Sequence, residues 1–210
     1  MGDSARDVAV EAVRDRASLV RISAQWDDLA RHALEPDPDP LGEMATTLAS
    51  LEAAGEGRLQ CCLSWARDPE RADLPASLGG LFPFRLKRSA WGFPCWTFYP
   101  PLVRADGAQR HVAALLDWLE RAGAAVVRFR HVPREGRLND VLVEVLRDCG
   151  ATVYGCNVAA PDGVGGPSLR DLLIGIGAVG GRSVAMVPML DRLKRRIWPA
   201  FRTGSPAVAA

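Results

Sequence analysis

The sequence predicts an α/β fold with a mixed sheet, an antiparallel hairpin and flanking helices. Residues 78–99 contain two apolar segments that suit paired strands, whereas residues 112–158 alternate between helical and strand periodicity. Consecutive strands form antiparallel hairpins, and strands that are separated by helices can pair in parallel. We therefore expect both kinds of pairing in one sheet, antiparallel first and parallel-capable later.

The N-terminal part is expected to be mostly helical. Residues 7–14 place valines among charged residues, which suits a short first strand or a frayed helix. Ser18 is expected to cap a helix that runs to about Ala33, because its apolar residues recur at spacings of three and four. The prolines of residues 35–40 end this helix, since each removes a donor and holds its neighbour extended. A second helix is predicted over residues 41–54.

Three strands are predicted next. The first covers residues 58–65. The second covers residues 78–86 and contains two glycines and Pro83, so we expect it to bulge or to lie at an edge of the sheet. Residues 91–99 are rich in aromatic side chains and form its expected antiparallel partner.

The pattern then changes to helices that alternate with strands. Apolar residues between Val112 and Leu119 mark a helix that ends at Gly123. A buried strand over 124–132, an amphipathic helix over 138–149 and a strand over 151–158 follow. The residues on the apolar stripes of these elements are expected to be buried together: Trp26, Leu29, Leu115, Leu119 and Val127.

Composition limits the classes of partner and location. Hydrophobic residues make up 48% and charged residues 24% of the 210, with a net charge of +1, which is ordinary for a soluble globular protein. So small a charge does not favour nucleic acid as a partner. No signal-peptide pattern is visible, and no apolar run reaches the ~20 residues that span a bilayer. We expect a cytoplasmic protein without a transmembrane segment.

The cysteines and histidines predict no metal site and no disulfide framework. The five cysteines lack CxxC spacing, and the three histidines are far apart in the chain. Adjacent Cys61 and Cys62 would point to opposite faces of a strand. Reduced thiols are expected.

The glycine-rich residues 163–167 suggest a boundary. We expect an α/β domain over 1–160, a glycine-rich segment with a basic helix over 161–202, and a disordered tail over 203–210. The helix, residues 189–198, has an apolar stripe and a basic face. Peripheral contact with an anionic membrane or an acidic partner is one interpretation, and packing on the domain is the other.

Motifs assign no catalytic, cofactor-binding or metal-binding residue. Residues 175–180 match GxGxxG, but no second strand or ribose-binding acid follows at the right distance, which favours a flexible or packing segment. No GxSxG, HExxH or P-loop pattern supports a hydrolase, a metalloprotease or a nucleotide triphosphatase. Two sets of candidates remain open: a stacking surface or core of Trp91, Phe93, Trp96, Phe98 and Tyr99, and general bases or solvated carboxylates at Asp117, Glu120, Glu135 and Glu144.

Three local features occur in a fixed order along residues 10–158. They are Trp26-Asp-Asp-Leu-Ala, Leu81-Phe-Pro-Phe, and Tyr99-Pro-Pro-Leu-Val with a later His131-Val-Pro. Together they resemble the N-terminal half of large GNAT-superfamily acetyltransferase-like proteins of the bacterial cellulose and polysaccharide biosynthesis type. The resemblance implies a GNAT-like fold. If the chain is active, it also implies an acyl-CoA-dependent N-acetyltransferase with acetyl-CoA as co-substrate in the splay between two central strands.

The resemblance also implies how the cofactor would be held. GNAT enzymes bind the CoA pyrophosphate with backbone N–H groups at a helix N-terminus, in a loop resembling R/Q-x-x-G-x-G/A. Residues 1–158 offer no match to this loop in the required strand–turn–helix setting, and residues 172–177 come nearest with leucine in the first position. We therefore predict weak or no binding of acetyl-CoA. The alternative is a non-catalytic interaction module that uses the aromatic hairpin or the basic C-terminal helix.

Overall fold

The computed structural model describes residues 7–35, 49, 60–67, 76–88, 94–124, 126–149, 152–158 and 169–175, all within one compact unit of residues 1–176. In these ranges the chain forms eight strands and four helices. The strands are β1 (Val8–Val13), β2 (Gln60–Ala66), β3 (Ser77–Arg88), β4 (Pro94–Phe98), β5 (Leu102–Val103), β6 (Val126–Pro133), β7 (Thr152–Val158) and β8 (Leu169–Gly175). The helices are α1 (Arg16–Arg21), α2 (Ser23–Arg31), α3 (Ala108–Arg121) and α4 (Arg137–Asp148).

All eight strands belong to one sheet. Its order is β1-β2-β3-β4-β6-β8-β7, and β5 pairs with β3 beside β4. β4 and β6 run parallel, and the other strand pairs in the described part of the chain are antiparallel. The mixed sheet is confirmed, as is the antiparallel pairing of β3 with β4. A short strand or a frayed helix was predicted for residues 7–14, and the structure shows the strand.

The sheet separates two apolar cores. Cys61 is buried with the residues of α1 and α2, whereas its neighbour Cys62 is buried with those of α3 and α4. Successive strand residues point to opposite faces, so the prediction for this pair is confirmed. The five residues expected to be buried together are all buried, but Trp26 and Leu29 lie in the first core and the other three in the second. Their predicted single cluster is therefore wrong, because the sheet stands between the helix pairs.

The first helix begins earlier than the sequence predicts. Asp15, not Ser18, is its N-cap, with extended backbone and a carboxylate that accepts from the Ser18 N–H at 2.8 Å. The Ser18 hydroxyl donates to the same carboxylate at 2.8 Å and so supports the cap. The helix is also interrupted at Ile22, where the backbone leaves helical angles before α2 begins.

β3 bulges, as predicted, but it is central and does not lie at an edge. Ser64 pairs with Gly80 and Trp65 pairs with Leu78, so Gly79 is the extra residue of the bulge. Pro83 is tolerated in this central strand because of the side to which its nitrogen points. In an antiparallel strand the N and C=O of one residue point to the same neighbouring strand. The Pro83 carbonyl accepts from the Tyr99 N–H at 2.9 Å, so its missing donor faces an irregular part of the β4–β5 chain.

The predictions for the C-terminal part of the chain are only partly covered by the described residues. Residues 169–175 form β8 between β6 and β7, so the sheet extends past the boundary expected near residue 160. The division of the chain at that boundary stays a prediction. The helix expected over 41–54 lies outside the described residues apart from Ala49, and the basic helix and the tail lie entirely outside them. No helix in the described ranges is long and apolar enough to cross a membrane.

Replacing Leu119 with Ala should lower the free energy of unfolding by ~2–5 kcal/mol, because the side chain is fully buried between α3 and the sheet and its loss leaves a cavity. Urea melts of both proteins measure the change. Val20→Ala is the control, since Val20 is 46% exposed and should change stability by no more than ~0.5 kcal/mol. Equal effects of the two substitutions would contradict the assignment of the α3 core.

Candidate functional site at the parallel strand pair

The parallel pairing of β4 with β6 stops at a proline-rich bulge. Its last register pair joins Phe98 to Phe129, and Tyr99, Pro100 and Pro101 follow Phe98. Proline has no N–H to donate, so two consecutive prolines cannot continue a ladder to β6. The chain resumes as β5, which pairs with β3.

Both parallel strands are irregular at this level. Phe84 pairs with Phe98 while Leu81 pairs with Leu102, so between these pairs three residues of the β4–β5 chain oppose two of β3. β6 also shifts its register against β8 between Phe129 and Val132. β5 and residues 130–133 of β6 are therefore not paired with each other, and we call the gap between them the wedge.

Helix α3 begins at the end of β5. Gly107 is its N-cap, with φ 72° in the left-handed region that glycine adopts without strain. The Gly107 carbonyl accepts from the N–H groups of Arg110 at 2.9 Å and His111 at 3.2 Å. The N–H groups of Ala108 and Gln109 come earlier in the turn, where a helix has no acceptor of its own to offer. This is the positive end of the α3 dipole.

The strand, turn and helix at this point contain a partial pattern that was not predicted from the sequence. Arg104-Ala-Asp-Gly107-Ala-Gln109 matches R/Q-x-x-G-x-G/A at its first and fourth positions, and Gln109 departs at the sixth. The expectation that residues 1–158 lack this setting is therefore wrong in its structural part. The signal was a glycine directly ahead of a helix and close behind a strand, although Gln109 stands where the loop has glycine or alanine.

A buried polar pair fixes the first turn of α3 against the sheet. His111 Nδ1 and Ser64 Oγ lie 3.0 Å apart in a hydrogen bond, and both residues are buried. The imidazole occupies space left by Gly79 of β3, because a Cβ there would come within 1.9 Å of the ring. Burial lowers the pKa of His111 to about 4, so the ring is neutral at pH 7.

An ion pair attaches the β5–α3 turn to α2. The Arg104 guanidinium donates to the Asp28 carboxylate through Nη2 and to the Leu78 carbonyl at 3.3 Å through Nε. The hydrogen bond from Arg104 is also the main reason that the pKa of Asp28 lies below its usual value. The Arg104 side chain is thus directed to the α2 side of the sheet, while its backbone continues towards Gly107.

Residues 32–35, which we call the strap, lie along β5. The Leu34 N–H donates to the Val103 carbonyl at 2.7 Å, and the Ala105 N–H donates to the His32 carbonyl at 2.8 Å. These bonds flank an antiparallel bridge between Ala33 and Arg104. The end of α2 is therefore continued by a short stretch of β pairing with the edge of β5.

The end of the strap reaches the helix that follows β6. Leu34 is buried in the α3–α4 core, whereas Ala33 is buried in the α1–α2 core. A Glu35 carboxylate oxygen accepts from the Leu138 N–H at 3.4 Å in the first turn of α4. Gly136 leaves room for this carboxylate, because a Cβ there would approach it to 2.4 Å.

The predicted aromatic candidates divide between the core and its border. Trp96 and Phe98 are buried and pack with Phe84 and Phe129 at ring-centroid distances of 5.0–5.4 Å. Tyr99 is half-buried, with the Arg85 guanidinium carbon 5.8 Å from its ring centroid. Trp91 and Phe93 lie outside the described residues. The described aromatic side chains of the hairpin thus serve mainly as core.

The predicted carboxylate candidates are exposed and are not gathered into one site. Asp117 and Glu120 lie in the second half of α3, and Glu135 precedes α4. Glu144 accepts from the Gln109 side-chain amide at 2.8 Å and so links α4 to the first turn of α3. Among the described residues, no three His, Cys, Asp or Glu side chains are grouped as metal ligands.

Comparison with known proteins identifies the fold. No protein-family model matches the sequence, and no curated protein matches it. A GNAT-family protein from Desulfovibrio desulfuricans aligns over 81% of this chain and 99% of its own, with a TM-score of 0.51 and 9% identity. The structure of histone acetyltransferase HPA2 and related acetyltransferase from Corynebacterium glutamicum aligns over 83% and 99%, with a TM-score of 0.47 and 18% identity. The chain has the GNAT fold, which confirms the predicted fold class.

Acidification should destabilise the protein through His111. Its pKa is about 4 in the folded state, against the 6.5 of an unperturbed imidazole, so between these values the unfolded chain binds more protons. The free energy of unfolding should therefore fall as the pH drops below about 6.5 and level off near 4, by about 3 kcal/mol in all. Urea melts from pH 7 to 4 measure this loss.

His111→Gln is the control for this titration, because glutamine keeps a polar side chain and has no titrating ring. Its stability should depend less on pH over the same interval, while the contribution of the carboxylates stays common to both proteins. Equal slopes for the wild type and the variant would contradict a buried neutral imidazole.

Proposed function

We propose that this chain is a GNAT-type acyltransferase domain that uses acetyl-CoA as co-substrate. The observation that supports it best is the position of Gly107. The glycine-capped start of α3 lies directly after β5, at the wedge left by the parallel pair. An extended ligand in the wedge would meet the helix N-terminus with its anionic end.

Each half of CoA has a matching feature in this arrangement. The pyrophosphate would accept from the N–H groups of Ala108 and Gln109, where the helix dipole favours negative charge. The Arg110 guanidinium adds positive charge, since its Nη2 lies 2.7 Å from the point where a Cβ of Gly107 would be. The pantetheine arm carries two amides, which suit pairing with the wedge-side edge of β5.

The reaction follows from the chemistry of a thioester. An amine or hydroxyl of the acceptor attacks the acetyl carbonyl, so a C–N or C–O bond forms and the C–S bond breaks. The acceptor gives up its proton, and CoA leaves as the thiol. Backbone N–H groups at the wedge would stabilise the oxyanion that develops on the carbonyl oxygen. No side chain is assigned as the general base.

The acceptor is proposed from the sequence resemblance as a polysaccharide or a small molecule inside the cell. From the same resemblance we propose that this chain corresponds to the N-terminal half of larger two-domain proteins. We propose that the main unit of this chain is an α/β domain over residues 1–160, extended by the strand at 169–175. The burial of Trp96 and Phe98 argues against an interaction module built on the aromatic hairpin.

Gly107→Ala tests the proposed pyrophosphate site. The substitution strains a backbone with φ 72° and shifts the turn that presents the N–H groups. Affinity for 3′-phospho-ADP, the nucleotide half of CoA, should fall about tenfold or more, because hydrogen bonds to charged groups contribute ~1.5–3 kcal/mol each. Calorimetric titration of the wild type and the variant measures the ratio.

Gly123→Ala is the matched control. Gly123 lies just past the other end of α3, its φ of 74° imposes the same strain, and a Cβ there would meet nothing within 4 Å. It should lower stability to a similar extent and leave nucleotide affinity unchanged. A wild type that binds neither 3′-phospho-ADP nor acetyl-CoA at millimolar concentrations, or equal losses in both variants, would contradict the proposal.

A further inference from the structure

We propose that the strap is an autoinhibitory element that competes with the pantetheine arm of acetyl-CoA for the edge of β5. The inference rests on the proposed function, because it takes the wedge as the place where the arm lies. Acetyl-CoA then binds only to molecules in which residues 32–35 have left β5. The nucleotide half of CoA, which needs only the start of α3, binds in either state.

Backbone polarity shows which edge the strap covers. The Arg104 N–H donates to the Gly79 carbonyl of β3 at 2.8 Å. Strand residues alternate the direction of their backbone groups, so the Val103 carbonyl and the Ala105 N–H point away from β3. β4 precedes β5 in the chain and pairs with β6 on its side away from β3. The two backbone groups of β5 point to this same side. The strap bonds these two groups and therefore occupies the wedge side of β5.

The strap is held at both sides of the wedge. Two backbone hydrogen bonds join it to β5, and Glu35 joins it to the start of α4, which follows β6. Leu34 is only 7% exposed and contributes to the core beneath α3 and α4. An extended ligand that pairs with the Val103 carbonyl and the Ala105 N–H has to displace these contacts, because each group is already bonded to the strap.

Competition of this kind lowers the apparent affinity by the fraction of open molecules. If the strap is released in 1% of molecules, the apparent Kd of acetyl-CoA rises about 100-fold over its intrinsic value. The weak binding predicted from the sequence then has a conformational cause that is separate from the incomplete loop pattern. Weakening the strap should tighten binding, whereas most substitutions near a ligand site weaken it.

Two variants release the strap to different degrees. Glu35→Ala removes an exposed carboxylate, and Leu34→Ala combined with Glu35→Ala also removes the buried anchor. Acetyl-CoA affinity should rise in the single variant and by about tenfold or more in the double variant, as the open fraction grows. Asp15→Ala is the matched control, because it deletes the carboxylate cap of α1 and leaves the strap intact. Circular dichroism checks that each variant is folded.

A reversible disulfide that holds the strap on β5, here called the lock, should lower the affinity for acetyl-CoA. Ala33 and Arg104 form a non-hydrogen-bonded antiparallel pair, whose Cα atoms are typically ~4.5 Å apart and suit a disulfide. The double variant Ala33→Cys with Arg104→Cys should lose acetyl-CoA binding when oxidised and regain it on reduction. Binding of 3′-phospho-ADP should be the same in both redox forms. Wild type treated with the same oxidant controls for the native cysteines.

Hydrogen exchange separates displacement from a general loosening of the fold. Saturating acetyl-CoA should speed exchange of the Leu34 amide and leave the Ala105 amide protected, because the ligand replaces the strap as its partner. If acetyl-CoA binds equally to the wild type, the release variants and the oxidised lock, the strap inference is wrong and the proposed function stands. If neither acetyl-CoA nor 3′-phospho-ADP binds to any of these proteins, the proposed function fails as well.

Discussion

The missing N–H groups of three prolines govern the centre of this sheet. Pro100 and Pro101 cannot donate to β6, and Pro83 cannot donate to the chain opposite it, so regular pairing has to stop where β4 meets β5. Unpaired backbone groups are costly when buried, and something has to satisfy the edge that remains. In this structure the strap does so, and in the proposed open state a ligand with amide groups would do so.

The first turn of α3 is held by the close contact of one buried side chain with the sheet, and not by a large apolar surface. Gly79 of β3 lets the His111 ring approach the sheet, and Ser64 satisfies one ring nitrogen in an otherwise apolar setting. A neutral polar pair is a less costly anchor than a charged one, because burial penalises the charged form most. The same glycine is the extra residue of the β3 bulge, so one residue both shifts the strand register and leaves room for the helix.

The sequence predicted those parts of the fold that are encoded locally. The two amphipathic helices and the β3–β4 hairpin carry long periodic signals, and their bounds agree with the prediction to within a few residues. The cap at Asp15 was misassigned because aspartate and serine both qualify. The turn at Gly107 was missed because Gln109 breaks the expected pattern. The strap could not be predicted, because it pairs residues about seventy positions apart and no periodicity marks such a contact.

The two neighbouring thiols of β2 can each report on the opening of a different core. Cys61 belongs to the core under α1 and α2, and Cys62 to the core under α3 and α4, although a single peptide bond separates them. Burial raises the pKa of both, that of Cys61 to about 12, which keeps them protonated and unreactive while their cores are closed. Reagents therefore reach each sulfur only when its own side of the sheet opens. The relative labelling rates of the two cysteines would show whether the two halves of the molecule unfold as one cooperative unit or separately.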